Sequence, residues 1–374
     1  MLVGLFFTYE YSLKTWHESG TLNKELEIYK MLNEKYGVRF KFITYGDKNE
    51  IDYVKGYDFI SVIPVFTYFK KSKIKIINII KSIFIPFLIK DQLNNVSILK
   101  QHQLLGSWTA LISKYINNKP LIIRTGYDMF LFSKKENKNL LKRFLYYLLT
   151  LVSVKLSDLY TMSSESDAQH LKKYFKIKNL KIRKNWVNEI NLIKRFEERY
   201  QNKIIAVGRL EEQKNYRYII DSLVGSNFSL DIVGKGSMEK SLRTYAIKNN
   251  VNLNYLGIFE NEKLMDIYQN YKYFVLASHY EGNPKVILEA MSSGCICFVS
   301  NIENNKEIVI DKQNGFILNE STNSLIDNIK KLEADNVLRD EIINNGKKFL
   351  EDNYLLSDLV DKEFSDYKSL VKKN

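Results

Sequence analysis

Tyr280-Glu281-Gly282-Asn283-Pro284-Lys285-Val286-Ile287-Leu288-Glu289-Ala290-Met291-Ser292-Ser293-Gly294 sets two carboxylates, Glu281 and Glu289, on either side of a helix start. The preceding block Tyr273-Phe274-Val275-Leu276-Ala277 is short and apolar, as a buried strand requires. Pro284 fits the first helical turn, where a missing N–H costs nothing, and Gly294 supplies the stop. A strand, a glycine-bearing loop and a helix N-terminus in that order offer backbone N–H groups and a positive dipole end to an anion. Glu289 falls among Ile287, Leu288, Ala290 and Met291, where an unpaired carboxylate is costly to bury, so it needs a partner.

A second segment, Val207-Gly208-Arg209-Leu210-Glu211-Glu212-Gln213-Lys214-Asn215, follows the apolar block Ile204–Val207 and places two cations beyond a strand end. Arg209 can fork onto phosphate oxygens and Lys214 can add a compact charge, a pairing suited to a diphosphate. A third element, Gly234-Lys235-Gly236, follows Leu230-Asp231-Ile232-Val233 and reads as a tight strand-to-helix connection. Taken singly, Arg209 and Lys214 read as solvated surface cations and Glu289 as an ordinary helix ion-pair partner. The conjunction, in this order and spacing, is what carries the functional reading.

These three segments together resemble the retaining GT-B glycosyltransferases of family GT4, the glycosyl transferases group 1, most closely from Lys203 to Leu318. The resemblance implies an α/β fold of two Rossmann-like doubly wound domains facing across a cleft. It further implies that Arg209 and Lys214 hold the donor diphosphate, that Glu289 binds the ribose hydroxyls, and that Glu281 lies beside the transferred sugar. Gly208, Gly234 and the loop Gly282, Asn283, Pro284 and Lys285 complete the expected donor site. In that loop the amides of Gly282, Asn283 and Lys285 face phosphate or sugar, since proline has none to offer.

At 374 residues with 45% hydrophobic content, four prolines and no low-complexity tract, the chain is long enough for two packed cores. Its net charge of +13 is unevenly placed: residues 1–198 carry 33 Lys and Arg against 18 Asp and Glu, and the remainder is slightly acidic. A basic first half points to an anionic partner, a membrane surface or nucleic acid. The nucleic-acid reading is the weaker, because no reader motif with stacking aromatics at fixed spacing accompanies the charge. The segment from Tyr68 to Lys90 mixes lysines with Ile and Phe and reads as an interfacial helix in peripheral contact with anionic lipid, against the alternative of a core-facing helix with a solvated basic side.

Met1–Phe7 lacks a basic leader, and the apolar stretches Ile76–Ile89 and Phe144–Val154 fall short of the ~20 residues that span a bilayer. The expected location is cytoplasmic, peripheral on the inner face of the cell membrane. Cys295 and Cys297 alternate in an apolar run and read as buried reduced thiols. Neither a metal nor a cofactor beyond the nucleotide sugar is expected, because the four histidines are scattered.

Apolar blocks alternating with helical patterns run through both halves, the signature of parallel sheets. They lead to an acceptor-binding Rossmann-like domain over 1–195, a donor-binding Rossmann-like domain over 196–355, and a terminal helix over 356–374 that crosses back to the first domain. In the first half, His17–Thr21 is read as a glycine loop after the first strand, resembling the family's N-terminal loop that brings Gly20 to the donor phosphate; the plain reading is a capped turn. Family members frequently carry a histidine at the place of Gly126, close to the reacting sugar. Its absence makes His102 the catalytic candidate, and His102, Arg124 and Asp128 the candidates for contact with acceptor.

The resulting expectation is a retaining hexosyltransferase that moves a sugar from a UDP- or GDP-sugar to a glycan or lipid-linked acceptor in surface polysaccharide biosynthesis. By the same resemblance the departing diphosphate accepts the acceptor's proton, and the protein's contribution is electrostatic. The alternative is a sugar-nucleotide epimerase of the same two-lobed fold.

Overall fold

The computed structural model describes residues 1–188, 190 and 194–372. Contacts divide the chain into two units, Met1–Arg183 with the chain from Ser357 onward, and Lys184–Leu356. The division falls after Arg183 rather than after residue 195. Asn185 donates to Asn283 from both its backbone N–H (2.9 Å) and its Nδ2 (2.5 Å), and Val187 bridges Leu355, so the segment from Lys184 is tied to the second unit.

The first unit holds seven strands: β1 (Leu2–Phe6), β2 (Arg39–Thr44), β3 (Ile60–Pro64), β4 (Ile98–Gln101), β5 (Leu121–Thr125), β6 (Leu159–Met162) and β7 (Leu180–Ile182). They run in the order β3-β2-β1-β4-β5-β6-β7 with every neighbouring pair parallel. The order reverses between β1 and β4, a topological switch point.

One element departs from the sequence expectation. Leu13–Glu18 forms a helix, with the Ser12 hydroxyl accepting from the Thr15 N–H as N-cap. Gly20 therefore lies in a turn between two helices rather than in the loop that follows β1, at φ +70° with its N–H donating to the His17 carbonyl.

The terminal helix Leu356–Val371 packs within this first unit, and charge holds it there. Glu363 pairs with Lys100 of β4 at 2.5 Å, both side chains being about 5% exposed or less. Asp366 accepts from Lys181 and Arg183, and Phe364 stacks on Tyr36 at 3.8 Å. Lys373 and Asn374, the end of the expected terminal helix, lie outside the described residues.

The second unit holds six strands, β8 (Tyr200–Val207), β9 (Ser229–Val233), β10 (Leu253–Gly257), β11 (Tyr271–Leu276), β12 (Ile296–Ser300) and β13 (Phe316–Leu318), all parallel in the order β10-β9-β8-β11-β12-β13. Alternation divides its core into two layers. Ile204, Ala206, Tyr273, Val275 and Phe298 face one cluster, and Ile205, Val207, Phe274, Leu276 and Val299 face the other. Burial on both faces explains why these strands read as continuous apolar runs. Cys295 and Cys297 are buried and form no disulfide, and burial pushes the Cys295 thiol up to about 12. The strand order of this unit reverses between β8 and β11.

Candidate functional site

That reversal sets the segment leaving β8 beside the segment leaving β11, where parallel sheets open to ligand. Past β8 the chain turns through Gly208 at φ +156° and reaches a single 3-10 turn, Glu212–Lys214. Past β11 it runs through Ser278 to Pro284 and enters the helix Lys285–Ser292. The two segments are laced together. The Lys214 ammonium lies 2.5 Å from Glu281 Oε1, which also accepts from the Ser278 hydroxyl at 2.6 Å. Both members of the ion pair are largely shielded from solvent.

Gln213, which sequence reasoning passed over, is the second tie. Its side-chain Nε2 donates to the Tyr280 carbonyl at 2.8 Å, its own backbone carbonyl accepts from the His279 N–H, and its Oε1 accepts from the Arg209 guanidinium at 3.3 Å. Gln213 thus holds Arg209 and the Glu281 loop in one frame. A polar residue between two strand-end loops leaves no periodic trace in a sequence, so only its place beside Lys214 could have flagged it.

Close backbone approach fixes the third segment. A Cβ on Gly234 would sit 2.0 Å from the Gly208 carbonyl oxygen, and one on Gly236 2.3 Å from the Leu210 carbonyl oxygen. Leu210 donates its N–H to the Lys235 carbonyl, and Glu211 accepts from the Ser237 N–H and hydroxyl. Tyr216 completes the base of the turn, its hydroxyl donating to the Gly208 carbonyl at 2.9 Å. The glycines are therefore required by contact between loops and not by turn geometry alone.

Glu289 is buried and has the partner its surroundings demand: Asn261, following β10, donates to its Oε1 at 3.0 Å. Its backbone carbonyl accepts from the hydroxyls of Ser292 and Ser293. The loop before its helix is held by Asn304, which donates to the Gly282 carbonyl, and by the Asn185–Asn283 pair. Pro284 is the N-cap and offers no side-chain bond, and its carbonyl accepts from the Ile287 N–H at 3.2 Å. The Lys285 ammonium lies 4.7 Å from the Trp186 ring centroid. Arg209, Lys214 and Glu281 are thus joined through Gln213 and Ser278, with the Gly234–Gly236 turn packed on the same segment, while Glu289 lies further along the following helix, paired with Asn261.

The candidates in the first unit have other settings. His102 follows β4 with its ring against Trp16 and Phe7, and its Nε2 lies 3.4 Å from Glu25 Oε2. Arg124 is buried in β5, where its charge bears on Lys100 and Glu363. Asp128 is the N-cap of the helix Met129–Lys135: one oxygen accepts from the Leu131 N–H and the other lies 3.1 Å from His170 Nδ1. Its carboxylate is committed to the fold. Gly126 donates its N–H to Gln103 Oε1, and a Cβ there would stand 3.1 Å from Gln103 Nε2. Gln103 occupies the space that a side chain at 126 would claim.

Comparisons with known proteins bear on the second unit most directly. Residues 188–349 match the family model described as glycosyl transferases group 1. A stretch of 174 residues is 26% identical to the GtfA subunit of the UDP-N-acetylglucosamine–peptide N-acetylglucosaminyltransferase of Limosilactobacillus reuteri, covering 45% of this chain and 34% of that protein. Another, of 154 residues, is 32% identical to the UDP-Gal:alpha-D-GlcNAc-diphosphoundecaprenol alpha-1,3-galactosyltransferase of Escherichia coli, covering 37% of this chain and 40% of that one. The chain spans between about a quarter and a half of the length of the curated relatives it matches.

Among solved structures, sucrose-phosphate synthase from Thermosynechococcus elongatus superposes with a TM-score of 0.80 at 14% identity over 100% of both chains. HepE from Anabaena in complex with UDP superposes with a TM-score of 0.75 at 13% identity, over 99% of this chain and 100% of that one. At such identities the likeness establishes the fold: two parallel sheets with flanking helices, the α/β GT-B architecture. The family model and the names of the relatives support a glycosyltransferase family.

Proposed function

We propose that the chain is a retaining glycosyltransferase of family GT4 that transfers a hexosyl group from a UDP- or GDP-sugar to a glycan or lipid-linked acceptor in surface polysaccharide biosynthesis. The observation that carries this reading is the convergence of Arg209, Lys214 and Glu281 at the β8/β11 switch point. Supporting it are relatives named for capsular polysaccharide and amylovoran biosynthesis, and for transfer onto a diphosphoundecaprenol-linked sugar.

On this reading Arg209 and Lys214 face the donor diphosphate, beside the positive end of the helix Lys285–Ser292. Glu289 receives the ribose hydroxyls, and Glu281 orients Lys214 while standing beside the transferred sugar. As the glycosidic bond breaks, negative charge grows on the leaving diphosphate. Fixed cations and amides stabilise that charge without reorganising, which is where most of the rate arises. The acceptor's proton passes to the leaving group, so no protein base is required. His102 and Arg124 remain the acceptor-side candidates of the first unit.

On this reading the Tyr68 to Lys90 segment meets an anionic membrane on the inner face of the cell, which suits a lipid-linked acceptor. Among the described residues no helix is long and apolar enough to cross one. The test is a panel of nucleotide diphosphate sugars screened for thermal stabilisation, followed by transfer assays on the hits. The proposal expects a stabilising UDP- or GDP-sugar and product formation only with acceptor present. A nucleotide-sugar converted without acceptor would instead establish the epimerase.

A further inference from the structure

Two helices of the first unit bury polar side chains while turning large apolar ones to solvent. The helix Lys75–Leu88 buries Asn78 and Ser82, 5% and 0% exposed, while Ile76, Ile80, Phe84 and Phe87 are 50–59% exposed. The helix Leu140–Leu156 does the same: Thr150 and Ser153 are 1% and 0% exposed, while Leu140, Leu141, Phe144 and Leu145 are 51–80% exposed. An ordinary surface helix of a soluble protein turns its apolar stripe to the core and its polar residues to water. Here the inward faces mix hydroxyls and an amide with Ile85, Pro86 and Val154, and most of the large apolar residues of the N-terminal turns face outward.

Ser82 and Ser153 are satisfied by the same neighbouring helix. The helix Ser107–Asn117 lies between the two: Trp108 Nε1 donates to the Ser82 hydroxyl at 2.8 Å, and the Ser107 hydroxyl lies 2.9 Å from that of Ser153. Asn78 closes the loop ahead of its own helix, exchanging two bonds of 2.8 Å with the Ser72 backbone. Both outer helices are therefore pinned to one central helix by their polar sides, which fixes the orientation of their apolar sides. Exposed apolar area on this scale marks a surface that meets something apolar.

Charge identifies what it meets. Residues 68–90 hold six lysines and no carboxylate, and residues 138–156 hold Lys138, Lys142, Arg143 and Lys155 and no carboxylate. Isoleucine, leucine and phenylalanine framed by cations on a helix surface is the chemistry of a bilayer interface, with the rings and branches in the acyl boundary and the ammonium groups among anionic headgroups. We propose that Leu140–Leu156 is a second membrane-docking helix, which acts with Lys75–Leu88 to seat the first unit on an anionic lipid surface. This rests on the reading of the 68–90 segment given above and extends it: two apolar helices held by one scaffold give a two-point attachment, which binds far more firmly than either alone.

The experiment is flotation of the full chain with vesicles of phosphatidylcholine, with and without phosphatidylglycerol, at low and high salt. Two variants are compared with the unaltered protein, Ile80→Glu with Phe84→Glu and Leu141→Glu with Phe144→Glu, each checked for a native circular dichroism spectrum. All four positions are exposed, so folding is expected to survive. The proposal predicts salt-sensitive binding to the anionic vesicles only, and a loss on the order of 10-fold or more in each variant. Unchanged binding by the Leu141/Phe144 variant alongside loss in the Ile80/Phe84 variant overturns the second helix while the earlier reading stands. Failure of the unaltered protein to float overturns both. Self-association in lipid-free solution that either variant abolishes, without vesicle binding, assigns the surface to a second copy and overturns the proposal.

Discussion

Lys214 and Glu281 form an ion pair that joins the segment leaving β8 to the segment leaving β11. Each is a member of a different sequence motif, and neither motif alone specifies a position in space. With only about a tenth of each side chain exposed, removal of one partner leaves a shielded charge uncompensated, which typically costs ~3–5 kcal/mol. Glu281→Ala is therefore expected to lower stability measurably in denaturant titration, by more than Glu281→Gln, which keeps an acceptor for the lysine and for Ser278.

Lys214→Ala is expected to lower transfer by ~10²-fold or more, because the charge it supplies matters most as the leaving group becomes anionic. Steady-state kinetics at a temperature where the variant keeps a native circular dichroism spectrum checks this. Near-normal turnover would contradict the assignment of Lys214 to the diphosphate.

Gly234→Ala tests the loop packing. The added carbon meets the Gly208 carbonyl oxygen at 2.0 Å, at a φ of +148° that side chains rarely adopt. We expect a destabilisation of ~2 kcal/mol or more and weakened nucleotide binding, since the segment displaced carries Arg209. Gly225→Ala, at φ +74° with nothing within 4 Å of the added carbon, is the control for backbone strain alone.

Much of this was legible in the chain, and what was not has definite causes. Arg209, Lys214 and Glu281 stand beyond strand ends and Glu289 inside the helix that Pro284 opens, so local pattern sufficed to place each on its element. Asp128 looked like an acceptor ligand, but a carboxylate three residues before a free helical N–H is also an N-cap, and the Leu131 N–H and His170 take it up. The helix Leu13–Glu18 is only six residues long and hid within what read as a loop, which misplaced Gly20. Periodicity shows that Lys75–Leu88 has an apolar stripe but not which way the stripe faces. Only Trp108 and Ser82 decide that.

The buried pair Lys100–Glu363 gives the terminal helix an acid-sensitive anchor. Burial alone would raise the Glu363 pKa, but the charge and hydrogen bond of Lys100, the Tyr367 hydroxyl and Arg124 outweigh it and hold the carboxyl below the ordinary glutamate value. A carboxylate lowered on folding adds stability that is present above its unfolded value, near 4.3, and is lost as pH falls through the folded one. Acid unfolding of the unaltered chain should therefore show a contribution below about pH 4 that Glu363→Gln lacks. Identical acid profiles for the two proteins would show that this pair does not anchor the helix.

The most direct test of the central claim is calorimetric titration of UDP and GDP into the unaltered chain, Arg209→Ala, Lys214→Ala and Glu289→Ala. The account predicts saturable binding of one of the two nucleotides, weakened on the order of 10-fold or more by each substitution. Equal affinity in all four proteins, or no binding of either nucleotide to the unaltered chain, would contradict it.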